Sequence, residues 1–377
     1  MKNTYIGVVI LAIISIAFLY RGSGNELQDT ERMDELQVQE YVEPNAIFVA
    51  SVEQRFHATL IDNKTDNIIY ERSLQLQDFP IEESEGMYDN SNIQYHEPTT
   101  SAVVRVLNVS NMTGEKLYPN LDYYSAIYSL NLQDENGFTV LYKTDDYITD
   151  WVMHPKRPEL YFYKRAKDDG RDVVQIWKLD FRNPLQKPSL LATLPLIYEM
   201  KLSADASSLY AVYKGTEDDS FHYIQIDVST GDVGNILTLK EPLDSFDPSV
   251  SSISPSGKMI AYHYGSVDIA SENITPITRG VTDSIKNIKI HWSAMGDKAL
   301  YIQQDQLEIY DFSKESTTKI PLSNIRVVAW NPSQNFILYS DKDRTGPHNI
   351  MKYDLQNKEA TKLLHVEESS SQVQWVR

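Results

Sequence analysis

The sequence predicts an all-β fold, a seven-bladed β-propeller of four-stranded antiparallel blades. Three observations carry the prediction. A strand–turn–strand unit recurs along the chain. A second mark, an apolar strand ending in Asp or Asn, follows each copy. The two chain ends each lack the part that the other supplies. A hairpin repeated every 40 to 50 residues is the signature of a radial array rather than of two ordinary domains.

The unit is clearest in "VAWNPSQNFILYS" (328–340), where an apolar run reaches Trp330, turn formers follow, and an apolar-aromatic strand ends at Tyr339. "IHWSAMGDKALYIQ" (290–303) sets Trp292 and Tyr301 at the same interval, and "SSISPSGKMIAYHYG" (251–265) does so with Ile253 and Tyr262. "MKLSADASSLYAVYKG" (200–215) is a degenerate copy built on Leu202. "WVMHPKRPELYFYKR" (151–165) begins with Trp151 and reads as having a turn one residue longer. "IQYHEPTTSAVVRV" (93–106) puts Tyr95 in the tryptophan's place. "SQVQWVR" (371–377) supplies a first strand with Trp375, and then the sequence stops.

The acid-ended strands are "LIDN" at Asp62, "SLNL" at Asn131, "KLDF" at Asp180, "QIDV" at Asp227, "SVDI" at Asp268, "IYDF" at Asp311 and "KYDL" at Asp354. Asp and Asn suit that place because their side chains bond the backbone two residues on and so start a turn. The first such mark has no tryptophan hairpin before it, and Trp375 has nothing after it. A ring of sheets leaves no long free edges when its first and last strands meet. Blade 1 is therefore expected to join strands from about 46–78 to the terminal strand 371–377. The others are expected near 93–145, 149–196, 200–241, 250–280, 288–321 and 326–365. The irregular 46–92 segment leaves six- and eight-bladed rings as alternatives, and a pair of β-sandwiches is the alternative architecture.

Ahead of the propeller, residues 1–21 contain an uncharged run from Tyr5 to Tyr20 bounded by Lys2 and Arg21. As a helix it is about 24 Å long, against a hydrocarbon core of about 30 Å. No A-x-A-like cleavage site follows, so the expectation is a signal anchor, with a cleaved signal peptide as the alternative. Either one places the propeller outside the cytoplasm. Residues 22–45 carry seven carboxylates and one arginine and read as an acidic tether.

The whole chain, 377 residues with net charge −18 and pI about 4.9, lacks a basic face for nucleic acid or anionic lipid. With no cysteine, disulfides, thiolate chemistry, Zn–Cys sites and a lipidated N-terminal cysteine are excluded.

Ser254-Pro255-Ser256-Gly257 with Ile260-Ala261-Tyr262, and Trp330-Asn331-Pro332-Ser333 with Ile337-Leu338-Tyr339, resemble the WD-like repeat of TolB-type propellers, as does Ile309-Tyr310-Asp311. The same repeat occurs in propellers of prolyl-oligopeptidase-type proteins. The resemblance implies fold and not function. Residues 22–45 leave no room for the α/β domain that precedes the TolB propeller. No Gly-x-Ser-x-Gly elbow of a peptidase domain is present.

His-Glu-x-x-His and Gly-x-x-x-x-Gly-Lys are absent. His96, His154 and His291 lie beside first-strand aromatics and read as packed turn histidines rather than a metal ring. "DKDRTG" (341–346) partly matches a calcium loop but lacks the distal Glu, and "KDDGRD" and "TEDDS" read as hairpin tips. No cofactor or metal is expected. The loops "TDDYITD" and "LDSFDPSV" lead into first strands and crowd one mouth of the channel. They make Asp150, Tyr198 and Asp247 the candidate binding residues, loops on a rigid scaffold being where binding commonly resides. Tyr95, Trp151, Trp292, Trp330 and Trp375 are the structural repeat positions. The reading is a non-enzymatic scaffold for an envelope protein or an exported ligand. The alternative is a hydrolase or lyase using paired carboxylates, Asp150 and Asp247, at the channel mouth.

Overall fold

The computed structural model describes residues 45–52, 55–75, 93–107, 124–133, 138–183, 187–215, 220–239, 251–262, 265–276, 288–303, 306–322, 325, 328–331, 333–341, 347–367 and 371–376. The expected anchor and tether lie outside them. Among the described residues no helix is long and apolar enough to cross a membrane.

Seven four-stranded antiparallel sheets form the blades. Blade 1 orders Ser371–Val376, Ala46–Val52, Arg55–Asp62 and Ile68–Gln75. Blade 2 has Ile93–His96, Ser101–Leu107, Ser125–Asn131 and Phe138–Thr144. Blade 3 has Ile148–Met153, Glu159–Asp168, Arg171–Asp180 and Ser189–Leu194. Blade 4 has Ile197–Leu202, Ser208–Lys214, Phe221–Asp227 and Val233–Leu239. Blade 5 has Ser252–Ile253, Met259–Tyr262, Gly265–Asp268 and Ile274–Pro276. Blade 6 has Ile288–Trp292, Lys298–Gln303, Gln306–Asp311 and Ser316–Ile320. Blade 7 has Val328–Trp330, Phe336–Ser340, His348–Asp354 and Glu359–Val366. Seven blades replace the open choice among six, seven and eight, and Ala46–Val52 is the second strand of blade 1.

The expected closure is present. Trp375 pairs with Ile47 and Val376 with Ala46, so the C-terminal strand becomes the first strand of the N-terminal blade. The first strands of blades 7 and 1, 1 and 2, and 3 and 4 touch, which makes them the inner ring. The apolar core is divided among the blade junctions. Phe48 and Tyr95 join blades 1 and 2, while Val103 and Trp151 join 2 and 3. Tyr161 and Met200 join 3 and 4, and Tyr223 and Ile253 join 4 and 5. Ala261 and Tyr301 join 5 and 6, Leu300 and Trp330 join 6 and 7, and Ile47 and Leu338 join 7 and 1. No blade buries its faces alone, so each depends on its neighbours.

The register corrects one repeat position. Trp330 pairs with Ile337 and Tyr95 with Ala102, but in blade 3 the partner of the equivalent Leu160 is Met153. Trp151 lies two residues earlier, opposite Phe162. The blade 3 turn is no longer than the rest: His154 N–H donates to Glu159 O at 2.8 Å, as Asn331 N–H does to Phe336 O at 2.9 Å. Trp151 is a fully buried blade-junction residue, 1% exposed, outside the repeat position. The apolar pattern suited both alignments, and the pairing separates them.

All seven Asp and Asn marks cap their turns. Asp62 Oδ1 accepts from Lys64 N and Thr65 N at 2.9 and 2.7 Å. Asn131 Oδ1 accepts from Gln133 N at 2.9 Å, and Asp180 Oδ1 from Arg182 N at 3.0 Å. Asp227 accepts from Ser229 N, Asp268 from Ser271 N, Asp311 from Ser313 N and Asp354 from Gln356 N. The turn often continues through a left-handed residue, as at Gly231 (φ 79°), where an added Cβ would lie 2.5 Å from Leu191 O.

Two predictions follow from closure and capping. Trp375 is buried, with its indole N–H donating to Ala329 O of blade 7 at 3.1 Å. Trp375→Ala should cost about 3–5 kcal/mol in denaturant unfolding. A loss below about 1 kcal/mol would show that the closing strand does not depend on this residue. The turn donors also lower the acids' pKa values: the hydroxyl and amide of Ser229 and the Thr230 amide bring Asp227 to about 2. Thr65 and Asn357 donors lower Asp62 and Asp354 in the same way. The unfolded chain takes up these protons near pH 4, whereas the native chain resists them. The stabilisation is therefore complete above about pH 4 and is lost as the pH falls toward 2. Asp227→Asn keeps an acceptor and should flatten stability against pH in that window. An unchanged slope in acid-unfolding curves would contradict the assignment.

Candidate functional site: the central channel

The inner strands enclose a cavity of about 700 Å³, within the range of about 300–1,000 Å³ usual for small-ligand sites. Its wall comes from the inner side of blades 3 to 7: Asp150, Glu199, Lys201 and Leu202, Ser251 to Ile253, Lys289 to Trp292, and Trp330.

Repeat register orders this wall into rungs. One rung comprises Gln374, Gln94, Val152 and Lys201 of blades 1 to 4, opposite Phe48, Val103, Tyr161 and Tyr210 of their second strands. Ser252, His291 and Ala329 of blades 5 to 7 complete it. Several of its members join blade to blade. Gln374 accepts from Tyr95 N at 2.8 Å and donates to Tyr95 O at 3.1 Å. Lys201 Nζ donates to Ser252 Oγ, and the Trp292 indole donates to Ser252 O at 3.1 Å. Beside the wall, buried Arg105 of blade 2 donates to Ile148 O at 2.9 Å and to Thr149 O, fixing the start of the blade 3 strand.

The neighbouring rung carries charge. Asp150 and Glu199 occupy the same repeat position, each just after a bulge, between Ile148 and Asp150 and between Ile197 and Glu199. Bulges of this kind re-aim side chains at barrel rims and sites. Asp150 accepts from Trp151 N at 2.8 Å, and Glu199 pairs with Lys201 at 2.8 Å. Lys289 holds the equivalent place in blade 6 and makes no ion pair among the described residues.

The sequence-predicted residues divide. Asp150 lines the channel. Tyr198 is the bulged residue beside Glu199, 40% exposed and edge-on to Phe221 at 6.4 Å. Asp247 lies outside the described residues, so the Asp150–Asp247 separation is not described. Of the structural positions, Tyr95 stacks on Phe48 at 5.0 Å and Trp292 on Phe312 at 5.1 Å. The sequence reading missed Glu199, Lys201 and Lys289 as channel residues. The signal for them was the repeat itself, since aligning the first strands on Leu202, Trp292 and Trp330 and taking the places one and three residues earlier names Lys201, Glu199 and Lys289.

The histidines separate as well. His96 and His154 are buried at the junction of blades 2 and 3. His154 Nδ1 accepts from the Lys156 and Arg157 amides at 3.0 and 2.9 Å, and His96 is edge-on to Phe181. His291 stands apart in the channel wall. Among the described residues no group of three His, Asp or Glu could hold a metal ion. Of the acidic tips, Asp341 accepts from Asn349 N at 2.8 Å, while 342–346 and 216–219 lie outside the described residues.

Enclosure by the wall, then the charges of Lys201 and Lys289, bring the His291 pKa down to about 4 from 6.5. The imidazole is part-exposed to the channel, but the channel walls shield it from bulk water. The unfolded chain takes the proton near 6.5 and the native chain near 4, so this group removes stability as the pH falls between those values. An NMR titration should find His291 neutral at pH 6, with Lys289→Gln raising its pKa. A midpoint near 6.5 in the native protein would contradict this geometry.

No protein-family model and no curated protein matches the chain. Among solved structures, a protein from Lactobacillus plantarum is similar over 89% of this chain and 100% of its own, at 12% identity and a TM-score of 0.54. A puromycin hydrolase is similar over 87% of this chain and 55% of its own, at 11% identity and a TM-score of 0.51. TolB from Acinetobacter baumannii is similar over 86% of this chain and 81% of its own, at 11% identity and a TM-score of 0.44. At such identities the likeness concerns the propeller fold alone.

Proposed function

We propose that the chain is a membrane-tethered, extracytoplasmic propeller that binds an envelope protein or an exported ligand at the face where its first strands begin. The tether is the N-terminal anchor read from Tyr5 to Tyr20. The observation that carries the proposal is the makeup of this face. Tyr147 and Leu196 are exposed at equivalent places just before the first strands of blades 3 and 4, and Tyr198 is exposed beside Leu196. They flank the charged rung of Asp150 and Glu199. An aromatic and apolar patch beside a polar channel is the composition of a recognition surface.

Antiparallel topology adds a second support. The Asp-capped turns and the first hairpin turns share the opposite face, where they are short and repetitive. The strand ends that the blade-to-blade connections join all lie on the proposed face, and the stretch from Gln75 to Ile93 is as long as any between two strands. Variable connections on a closed ring are where recognition usually lies. The hydrolase or lyase reading draws on the same channel, since Asp150 and Glu199 bring carboxylates to adjacent blades. Glu199 is engaged with Lys201, which favours the binding reading.

The test is capture on the detergent-solubilised full chain. A single envelope protein should be retained stoichiometrically, and Tyr198→Asp with Leu196→Asp should weaken retention at least tenfold while leaving thermal unfolding unchanged. Retention of no protein at any salt concentration would contradict protein recruitment.

A further inference from the structure

The first hairpin turns carry a side-chain latch that the repeat makes comparable from blade to blade. The residue just after the repeat position turns its side chain back to accept amides of its own turn. Ser203 Oγ accepts from Ser208 N at 3.0 Å, Ser254 Oγ from Met259 N at 3.1 Å and Ser293 Oγ from Lys298 N at 3.1 Å. Asn331 Oδ1 accepts from Ser333 N at 2.6 Å. In blade 3 the same place holds His154, whose Nδ1 accepts from Lys156 N and Arg157 N at 3.0 and 2.9 Å. In blade 2 it holds His96, with Nδ1 2.8 Å from Thr99 Oγ1. A hydroxyl or amide oxygen accepts throughout the physiological pH range, whereas an imidazole nitrogen accepts only while unprotonated. The two titratable latches lie on adjacent blades, and both are buried.

Their surroundings resist a second proton. Neutral His154 carries its one N–H on Nε2, because Nδ1 accepts, so protonation falls on Nδ1 and breaks both turn bonds. The Arg157 guanidinium stands against the ring, Nε 2.9 Å from Nε2. The neighbouring acids are engaged or exposed. Buried Glu159 pairs with Arg157 at 3.3 Å and with Lys178 at 3.2 Å, and accepts from the Tyr161 hydroxyl at 3.0 Å. Asp180 pairs with Arg182 at 2.6 Å, and Glu97 is exposed beside His96. His96 packs edge-on to Phe181 of blade 3 at 5.1 Å, with Nε2 buried and no partner for it among the described residues. Burial lowers the pKa of both histidines. At His154 the charge of Arg157 adds to this and that of Glu159 opposes it; at His96 the backbone of the blade 3 turn opposes it. The unfolded chain takes these protons near pH 6.5 and the native chain only below that. Their stabilisation is therefore complete above about pH 6.5 and is lost as the pH falls.

We propose that the junction of blades 2 and 3 is an acid-released latch. In mild acid, His154 lets go of its turn amides and, together with His96, parts the first turn of blade 3 from blade 2. The Ser- and Asn-latched turns of blades 4 to 7 stay closed. The opening is local, because Arg105 of blade 2 still holds Ile148 O and Thr149 O at the other end of the same seam. The latch lies on the face opposite the proposed recognition surface and does not rest on that reading.

The experiment follows amide hydrogen exchange of the full chain in detergent at about pH 7 and about pH 5, on either side of the ordinary histidine range. Rates are corrected for the intrinsic pH dependence of exchange and resolved to single amides in the first turns. On acidification the Lys156 and Arg157 amides should lose at least tenfold more protection than those of Ser208, Met259 and Lys298, which the serine latches hold. Returning to the higher pH should restore it. His154→Asn, which places the blade 7 latch in blade 3, should abolish the acid-induced loss. The comparison among turns is made within one molecule, so it decides the matter even where the variant misfolds. Unchanged protection at Lys156 and Arg157, or an equal loss at every latch, would overturn the proposal. So would an acid-induced loss in His154→Asn as large as that in the unmodified chain.

Discussion

The pairing of Ser371–Val376 with Ala46–Val52 is the constraint on which the rest of this structure depends. A radial array of sheets has no central core to fall back on. Its apolar surface is divided among the blade junctions, and an open ring would leave two wedge faces in water. The terminal strand prevents this twice over. Trp375 fills the wedge between blades 7 and 1, and Gln374 exchanges two hydrogen bonds with the Tyr95 backbone of blade 2. Lys352 of blade 7 seals the same seam farther out, with Asn63 O and Asp66 of blade 1 as its acceptors. One short strand thus joins three blades.

Closure also divides the labour between the two faces. On one face, Asp-capped turns repeat with little variation, because each must return the chain within a few residues. The other face receives the connections between blades, whose length the ring does not restrict. Between the faces the inner strands are fixed by backbone pairing, so their alternate side chains are presented at set positions around the axis. Bulges before Asp150 and Glu199 adjust that presentation locally. A rigid inner ring of this kind pre-organises charge at little entropic cost on binding.

Much of the architecture was legible in the sequence because its marks are local. Asp62, Asn131 and their five equivalents start turns through their own side chains, and that chemistry needs no tertiary context. The closure was legible because each chain end lacked a strand that the other supplied. Trp151 was misaligned for the opposite reason: two large apolar side chains on one face of a strand suit the same pattern, and only pairing with the second strand distinguishes Met153 from Trp151. The channel was legible in part. Asp150 follows from its place at a strand start, but Glu199, Lys201 and Lys289 become neighbours only when their separate blades converge on the axis. That the buried Trp330 indole N–H finds no acceptor among the described residues could not be read from sequence, since its repeat environment resembles that of Trp375.

The most direct test of the account is thermal unfolding of the full chain against a version ending at residue 370. With the closing strand removed, the midpoint should fall by about 10 °C or more, or the transition should lose its cooperativity. An unchanged, single transition would show that the ring does not depend on its terminal strand and would contradict the account at its base.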